Sequence, residues 1–299
     1  MLRSEVPPAT PLTEADTAAL FSPDRLLPGW RVEAEMRVAG RDVRDAGEGL
    51  VFGSLALMEP VRRPTQYRQS ANRIGLAAVS DGAAVRHAWW ESLTEWPVLM
   101  AADWLADGVV SQPVRLAASL SGGTSTWHVP DLLVFDEDAR CLIDVRDRQW
   151  WDLSFAAHSA WTSAFAQSLG LDYYVATSLP RTVTANLMQV RQSMRSPAHV
   201  IARAAVILSA LTAPRAMAAM IPGGQEGRFD YQACLWLIWT GQVDVDLRRP
   251  IDRGSVLAPA TEATTLRSFL TSHGCLADAH EVCARVHEAY RRGVAAPRG

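Results

Sequence analysis

The chain has 299 residues, 48% of them hydrophobic and 20% charged, and a formal net charge of −3. That length suggests two domains, and the apolar fraction supports a sizeable core. The acidic balance excludes a uniformly basic nucleic-acid glove but leaves room for a local basic groove around an acidic metal site.

No lysine occurs, so all 29 basic residues are arginines, a bias that points to compositional pressure on the gene. Cys141, Cys234, Cys275 and Cys283 show no C-x-x-C spacing, which argues against structural zinc and for buried thiols. The N-terminus lacks a basic-apolar-small pattern, and no apolar run approaches about 18 residues. The expectation is a reducing, cytoplasmic compartment without membrane contact.

Residues 1–12, with Pro7, Pro8 and Pro11, read as a flexible lead-in. A capped short helix follows from Thr13, and residues 24–53 give no clear pattern. Residues 59–80 gather Arg62, Arg63, Arg68 and Arg73 around Tyr67, either a strip contacting the DNA backbone or a solvated loop and strand edge. Leu93, Trp96, Leu99, Met100 and Trp104 fall at helical spacing and predict a helix over 90–104, with Pro97 as a kink or first-turn residue.

Val109, Val110, Val114, Leu116 and Leu120 read as strand, Gly122-Gly123 as a hairpin turn, and residues 126–134 as the next strand. Asp131 precedes the apolar run of Leu132 to Phe135; a turn follows, and a second apolar run from Cys141 carries Asp144 and Arg146 on one face. A hairpin there brings Asp131 close to Asp144. Two carboxylates from neighbouring strands and a third from a helix make an oxygen site suited to Mg²⁺ or Mn²⁺, with a cation beside it to face phosphate. A helix over 153–169 ending at Gly170 and a strand over 171–177 complete an α/β order.

Beyond Asn186 the pattern turns helical, with helices expected over 198–211, 214–221 and 231–240. Alternation over 241–247, a turn at Arg248-Arg249-Pro250 and a return over 255–258 give the order of a winged helix. Its third helix, with Cys234, Leu235, Leu237, Ile238 and Trp239, carries little with which to read bases, which favours scaffolding or partner binding. Helices over 262–273 and 278–292 end the chain.

Taken in order, Arg62-Arg63-Pro64, Trp90-Glu91-Ser92-Leu93-Thr94-Glu95, Gln112-Pro113, His128-Val129-Pro130-Asp131 and Ile143-Asp144-Val145-Arg146 resemble the TnsA-like endonuclease subunit of heteromeric transposases. The resemblance spans about residues 61–197. It implies a restriction-endonuclease-like PD-(D/E)xK core over 61–190, after an N-terminal extension over 1–60 and before a mostly helical, winged-helix-like C-terminal domain over 191–299.

The same resemblance implies Glu95, Asp131 and Asp144 as ligands of Mg²⁺, Mn²⁺ also being possible, with Arg146 in place of the family's lysine. Glu91 rivals Glu95 as the helix ligand, but the family's Ser-x-x-Glu run matches Ser92 to Glu95 better. Arginine stays protonated and clamps phosphate but cannot act as a base, so the cation would have to activate the water. The implied activity is Mg²⁺-dependent cleavage of DNA at transposon ends, on the strand the transposase does not join. The implied partners are a DDE-type transposase and an AAA+ ATPase regulator. Two alternatives stand beside it: a related nuclease in defence against foreign DNA, and a catalytically silent scaffold. Taken singly, Asp131 is also an ordinary turn residue, Arg146 an ion-pair partner, His128 a satisfied strand-end residue, and Gln112 a structural hydrogen-bonding group.

Overall fold

The structure, a computed structural model, describes residues 30–45, 58–62, 73–80, 85–120, 125–136, 139–221 and 226–292. The expected lead-in, the Thr13 cap, Arg63, Tyr67, Arg68 and the Gly122-Gly123 turn lie outside them. The described chain is mixed α/β. It divides into two compact units: Met1–Glu95, Asp107–Thr177 and Leu276–Gly299 form the first, Trp96–Ala106 and Ser178–Cys275 the second. Unlike the boundaries at 60/61 and 190/191 drawn from sequence, these units interleave along the chain. None of the described helices is long and apolar enough to cross a membrane.

The first unit is built on two larger sheets. In one, β1 (Trp30–Val38) pairs with β2 (Arg41–Asp45), β3 (Met58–Glu59) and β7 (Val114–Leu120), and β7 pairs with β8 (Ser125–His128), all antiparallel. In the other, the order is β15 (Leu276–Ala277), β11 (Asp172–Ala176), β10 (Ala139–Val145), β9 (Leu132–Asp136) and β6 (Gly108–Ser111). Only β10 and β11 run parallel. A separate hairpin joins β4 (Gly75–Ser80) to β5 (Val85–Trp90).

One apolar core joins Met36 of β1, Leu116 of β7, Leu133 of β9, Leu142 of β10 and Val175 of β11 to Phe155 and Phe165 of the helix Leu153–Ser168 and to Val282 and Val286 of the helix Ala279–Arg291. Each such buried side chain contributes roughly 1.5–3 kcal/mol. The Leu153–Ser168 helix begins where Asp152 accepts the Phe155 N–H at 2.7 Å, and Gly170 follows its end at φ 68°, where a side chain would be strained. Strand β10 is buried on both faces (Leu142, Ile143 and Val145 are core residues), as a parallel-paired central strand must be.

Two strands expected to be continuous are each broken and passed between sheets. The break between β6 and β7 falls at Gln112-Pro113, and that between β8 and β9 at Val129-Pro130-Asp131. Proline removes a ladder donor and restricts the residue before it, so both turn the chain out of one sheet and into the other. The helix expected from Trp90 starts later. Trp89 and Trp90 end β5, paired with Leu76 and Gly75, and helix α1 runs Glu95–Leu105. Glu91, the rival helix ligand, therefore precedes the helix. Pro97 sits in the first turn, where its missing N–H costs nothing.

The second unit holds the rest of α1, with Val98, Leu99, Met100, Ala101 and Ala102 buried. It adds α3 (Arg181–Arg191), α4 (Ala198–Ala210), α5 (Glu226–Trp239) and α6 (Leu266–Ser272), with α2 and α7 being the two first-unit helices already described. Its short sheet has the order β12 (Arg215–Ala216), β14 (Val256–Pro259), β13 (Val243–Asp244). The helix expected over 214–221 is instead β12 followed by a single 3₁₀ turn, Met217–Ala219, drawn into the sheet by Val256 and Leu257. The expected strand over 241–247 shrinks to two paired residues, and the helix over 262–273 starts only at its Thr265 cap.

Asn186, 2% exposed, ties α3 to residues 247–251 by donating to Leu247 O and Arg249 O and accepting from Ile251 N. Asp103 of α1 is paired with Arg191 at 3.2 Å, and the Trp104 indole N–H donates to Trp239 O at 2.8 Å.

Candidate functional site

The two strand breaks meet. Gln112 N–H donates to Asp131 O at 2.7 Å, so the corner before β7 is bonded to the corner before β9. Leu132 pairs with Ile143 in the β9–β10 ladder, which sets Asp131 and Asp144 opposite each other one step further on, as expected of the hairpin. The Asp131 side chain then takes the Val145 N–H on Oδ2 at 2.7 Å.

Glu95 enters from the start of α1. Ser92 Oγ accepts the Glu95 N–H at 3.1 Å, and Glu95 Oε2 accepts the Glu91 N–H at 2.6 Å. This resembles a capping box displaced by one residue, the hydroxyl satisfying an open donor of the first turn and the carboxylate reaching back to the N–H of the residue before Ser92. Glu91 in turn receives Arg62 Nη2 and Gln112 Nε2 on Oε1. Gln112, 2% exposed, holds φ 48°, a left-handed conformation that strains a residue with a side chain.

Burial and neighbouring charges raise two of the carboxylates. Burial pushes Glu95 from 4.5 up to about 7; bonds from Glu91 and Ser92 oppose the rise, the Glu91 charge adds to it, and Arg62 opposes it. Burial also drives Asp131 well above its usual range, followed by repulsion from Glu95 and from Asp144. Glu95 Oε1 and Asp131 Oδ1 accept no hydrogen bond from the described residues.

Asp144, 2% exposed and next to last in β10, is held differently. His128 Nε2 lies 2.7 Å from its Oδ2 and 2.9 Å from its Oδ1, and the Tyr173 hydroxyl donates to Oδ2 at 2.5 Å. Behind them, Tyr173 O–H also lies 3.2 Å from Ser159 Oγ, and His158 stacks on His128 at 5.4 Å. His158 is pushed down to about 4 by burial, then by the charge of His128. Burial pushes Tyr173 well above its usual value, with Asp144 adding to the effect.

Arg146 follows β10 and turns toward α2. Its Nε donates to Trp150 O at 3.0 Å, its Nη2 lies 3.9 Å from Asp152, and its guanidinium covers the Phe155 ring at 4.7 Å. It forms no ion pair with Asp131 or Asp144. Thus Asp131 and Asp144 face each other across the ladder and the charge of Glu95 reaches Asp131, while the guanidinium of Arg146 is held by Trp150 O, Asp152 and the Phe155 ring. The alternation argument did not carry to it because β10 stops at Val145.

Tyr173, Ser159 and His158 were not singled out from sequence. The available signal was alternation in β11: Tyr173 lies on the same face as Val175, which pairs with Asp144. The four cysteines are free, and Cys234 and Cys283 are pushed up to about 12 by burial, as inert thiols are.

A hard divalent cation suits the donor chemistry, since crowded buried carboxylates with two unbonded oxygens gain most from one. Among the described residues, no group of three or more His, Cys, Asp or Glu side chains is spaced to hold a metal ion as they stand. Compared with known proteins, the chain matches no family model and no curated protein.

Proposed function

We propose that the chain is a metal-dependent DNA endonuclease of the PD-(D/E)xK kind, acting as the TnsA-like subunit of a heteromeric transposase at transposon ends in the cytoplasm. The observation that carries the reading is the ladder register that sets Asp131 opposite Asp144, with Glu95 from the start of α1 near enough for its charge to act on Asp131. Burying anions together is costly without a shared cation. The order of α1, the β9–β10 hairpin, α2 and the parallel β11 agrees with such a nuclease core.

Glu95, Asp131 and Asp144 would hold Mg²⁺ or Mn²⁺, which neutralises the carboxylates, acidifies a water and polarises a phosphodiester. The chain's own groups orient these donors: Val145 N–H fixes Asp131, and Glu91 N–H fixes Glu95. Arg146 donates its Nε–H to Trp150 O and has Nη2 near Asp152, and its remaining N–H groups would be the donors for a phosphate oxygen. Ala233, Cys234, Leu237 and Ile238 of α5 are buried, which leaves that helix little with which to read bases. Weak intrinsic DNA affinity, expected from a net charge of −3, suits a subunit delivered by a DDE-type transposase and an AAA+ ATPase.

The test is Mg²⁺- or Mn²⁺-dependent nicking of transposon-end DNA with the neighbouring transposase present. Cleavage by wild type that disappears in Asp131→Ala supports the reading; no cleavage beside an active transposase sinks it. One observation favours a second reading, a catalytically silent scaffold: the Arg146 guanidinium is already engaged by Trp150, Asp152 and Phe155.

A further inference from the structure

The inference rests on the reading above, in which Asp144 is a cation ligand. We propose that His128 and Tyr173 are positioning residues for that ligand, and that they leave Asp144 a single oxygen, Oδ1, with which to bind.

Three elements spend side chains on one carboxylate. His128 closes β8, Tyr173 stands in β11, and Ser159, fully buried in α2, backs the Tyr173 hydroxyl. The His128 ring is fixed in its turn by the parallel His158 ring at 5.4 Å and by the edge of Trp161 at 6.1 Å. Each carboxylate oxygen offers about two lone-pair sites. Oδ2 takes Tyr173 at 2.5 Å and His128 at 2.7 Å and is filled, whereas Oδ1 takes only the longer His128 contact at 2.9 Å. The register of the β9–β10 ladder sets Asp144 opposite Asp131, and the charge of Asp144 acts on Asp131.

Together these donors hold the buried Asp144 carboxylate in one orientation. Outer-shell hydrogen bonds of this kind set a ligand's orientation and basicity, and removing one weakens metal binding about 10- to 100-fold.

The experiment is a thermal-shift titration of the full chain with Mn²⁺ from a metal-free start. It compares wild type, Tyr173→Phe, His128→Leu, His128→Gln, Asp144→Asn and the double variant Tyr173→Phe/Asp144→Asn. Tyr173→Phe keeps the ring and so keeps the fold. Its titration midpoint should move to about tenfold higher Mn²⁺, with His128→Leu at least as far and His128→Gln, which retains an N–H donor, partly restored. Adding Tyr173→Phe to Asp144→Asn should shift nothing further. A purely structural role would lower the metal-free melting temperature and leave the midpoint alone. Wild-type midpoints in both Tyr173→Phe and His128→Leu overturn the inference while the metal site stands. A wild type that ignores Mn²⁺ overturns the metal site and the inference together.

Discussion

Val145 N–H donates to Asp131 Oδ2 at 2.7 Å, so the strand that carries Asp144 also fixes the carboxylate opposite it. The bond separates two substitutions that are often treated as equivalent. Asp131→Asn keeps an acceptor for Val145 and removes the charge, whereas Asp131→Ala leaves the N–H without a partner. Both should lose metal-dependent cleavage. Asp131→Ala should be less stable than Asp131→Asn by about 1–3 kcal/mol, read from urea unfolding without metal. Equal stabilities would mean that the bond contributes nothing.

Glu95 makes stability depend on pH. Its folded value of about 7 lies above the ordinary 4.5, so the native state holds the proton more tightly than the unfolded chain does. The resulting stabilisation is fully present below 4.5 and is lost as pH rises through about 7. The loss is on the order of 3 kcal/mol. Glu95→Gln should flatten that decline in metal-free buffer. Parallel wild-type and variant profiles across the window would remove Glu95 as its source.

His158 acts in the opposite direction, because burial holds it down at about 4. The unfolded chain takes up its proton first, so stability falls as pH drops from 6.5 toward 4. His158→Gln should reduce acid sensitivity in that range, measured by the unfolding midpoint at each pH. The two windows overlap with opposite signs, so the slopes largely cancel between 4.5 and 6.5 in the wild type, and each substitution uncovers the slope of the other group. Added Mg²⁺ should extend stability to higher pH by favouring the ionised carboxylates.

The site was legible where chemistry and period agree. Asp144 stands out inside an apolar strand, Asp131 follows a proline, and a hairpin was the only short way to join them. The start of α1 was not legible, because Val85–Trp90 is held as strand by its hairpin partner Gly75–Ser80, which the helical spacing from Trp90 onward does not show. Gly75 is decisive there: a side chain on it would collide with the Trp90 ring. The breaks at Pro113 and Pro130 were hidden because the apolar pattern runs on through a change of sheet. Helix α3 carries Val183, Leu187 and Val190 on one face and follows Pro180, so its signal was present. Tyr173 could not be found from its own neighbours, since its partners Asp144 and Ser159 arrive through the fold.

Asn186 gives the second unit its sharpest test. Its side chain satisfies the carbonyls of Leu247 and Arg249 and the N–H of Ile251. Residues 247–251 follow a two-residue strand and have little other regular structure, so one buried amide stands in for a ladder. Truncation strands three backbone groups, each costing about 1–3 kcal/mol when buried without a partner. Asn186→Ala should therefore cost several kcal/mol, on the order of 3 or more, and should expose 247–251 to proteolysis before the rest of the unit unfolds. Asn186→Asp keeps the acceptor for Ile251 but loses both donors, and should fall between Asn186→Ala and wild type or below both if its charge stays buried. An Asn186→Ala chain that unfolds at the wild-type urea concentration would show that water replaces all three bonds.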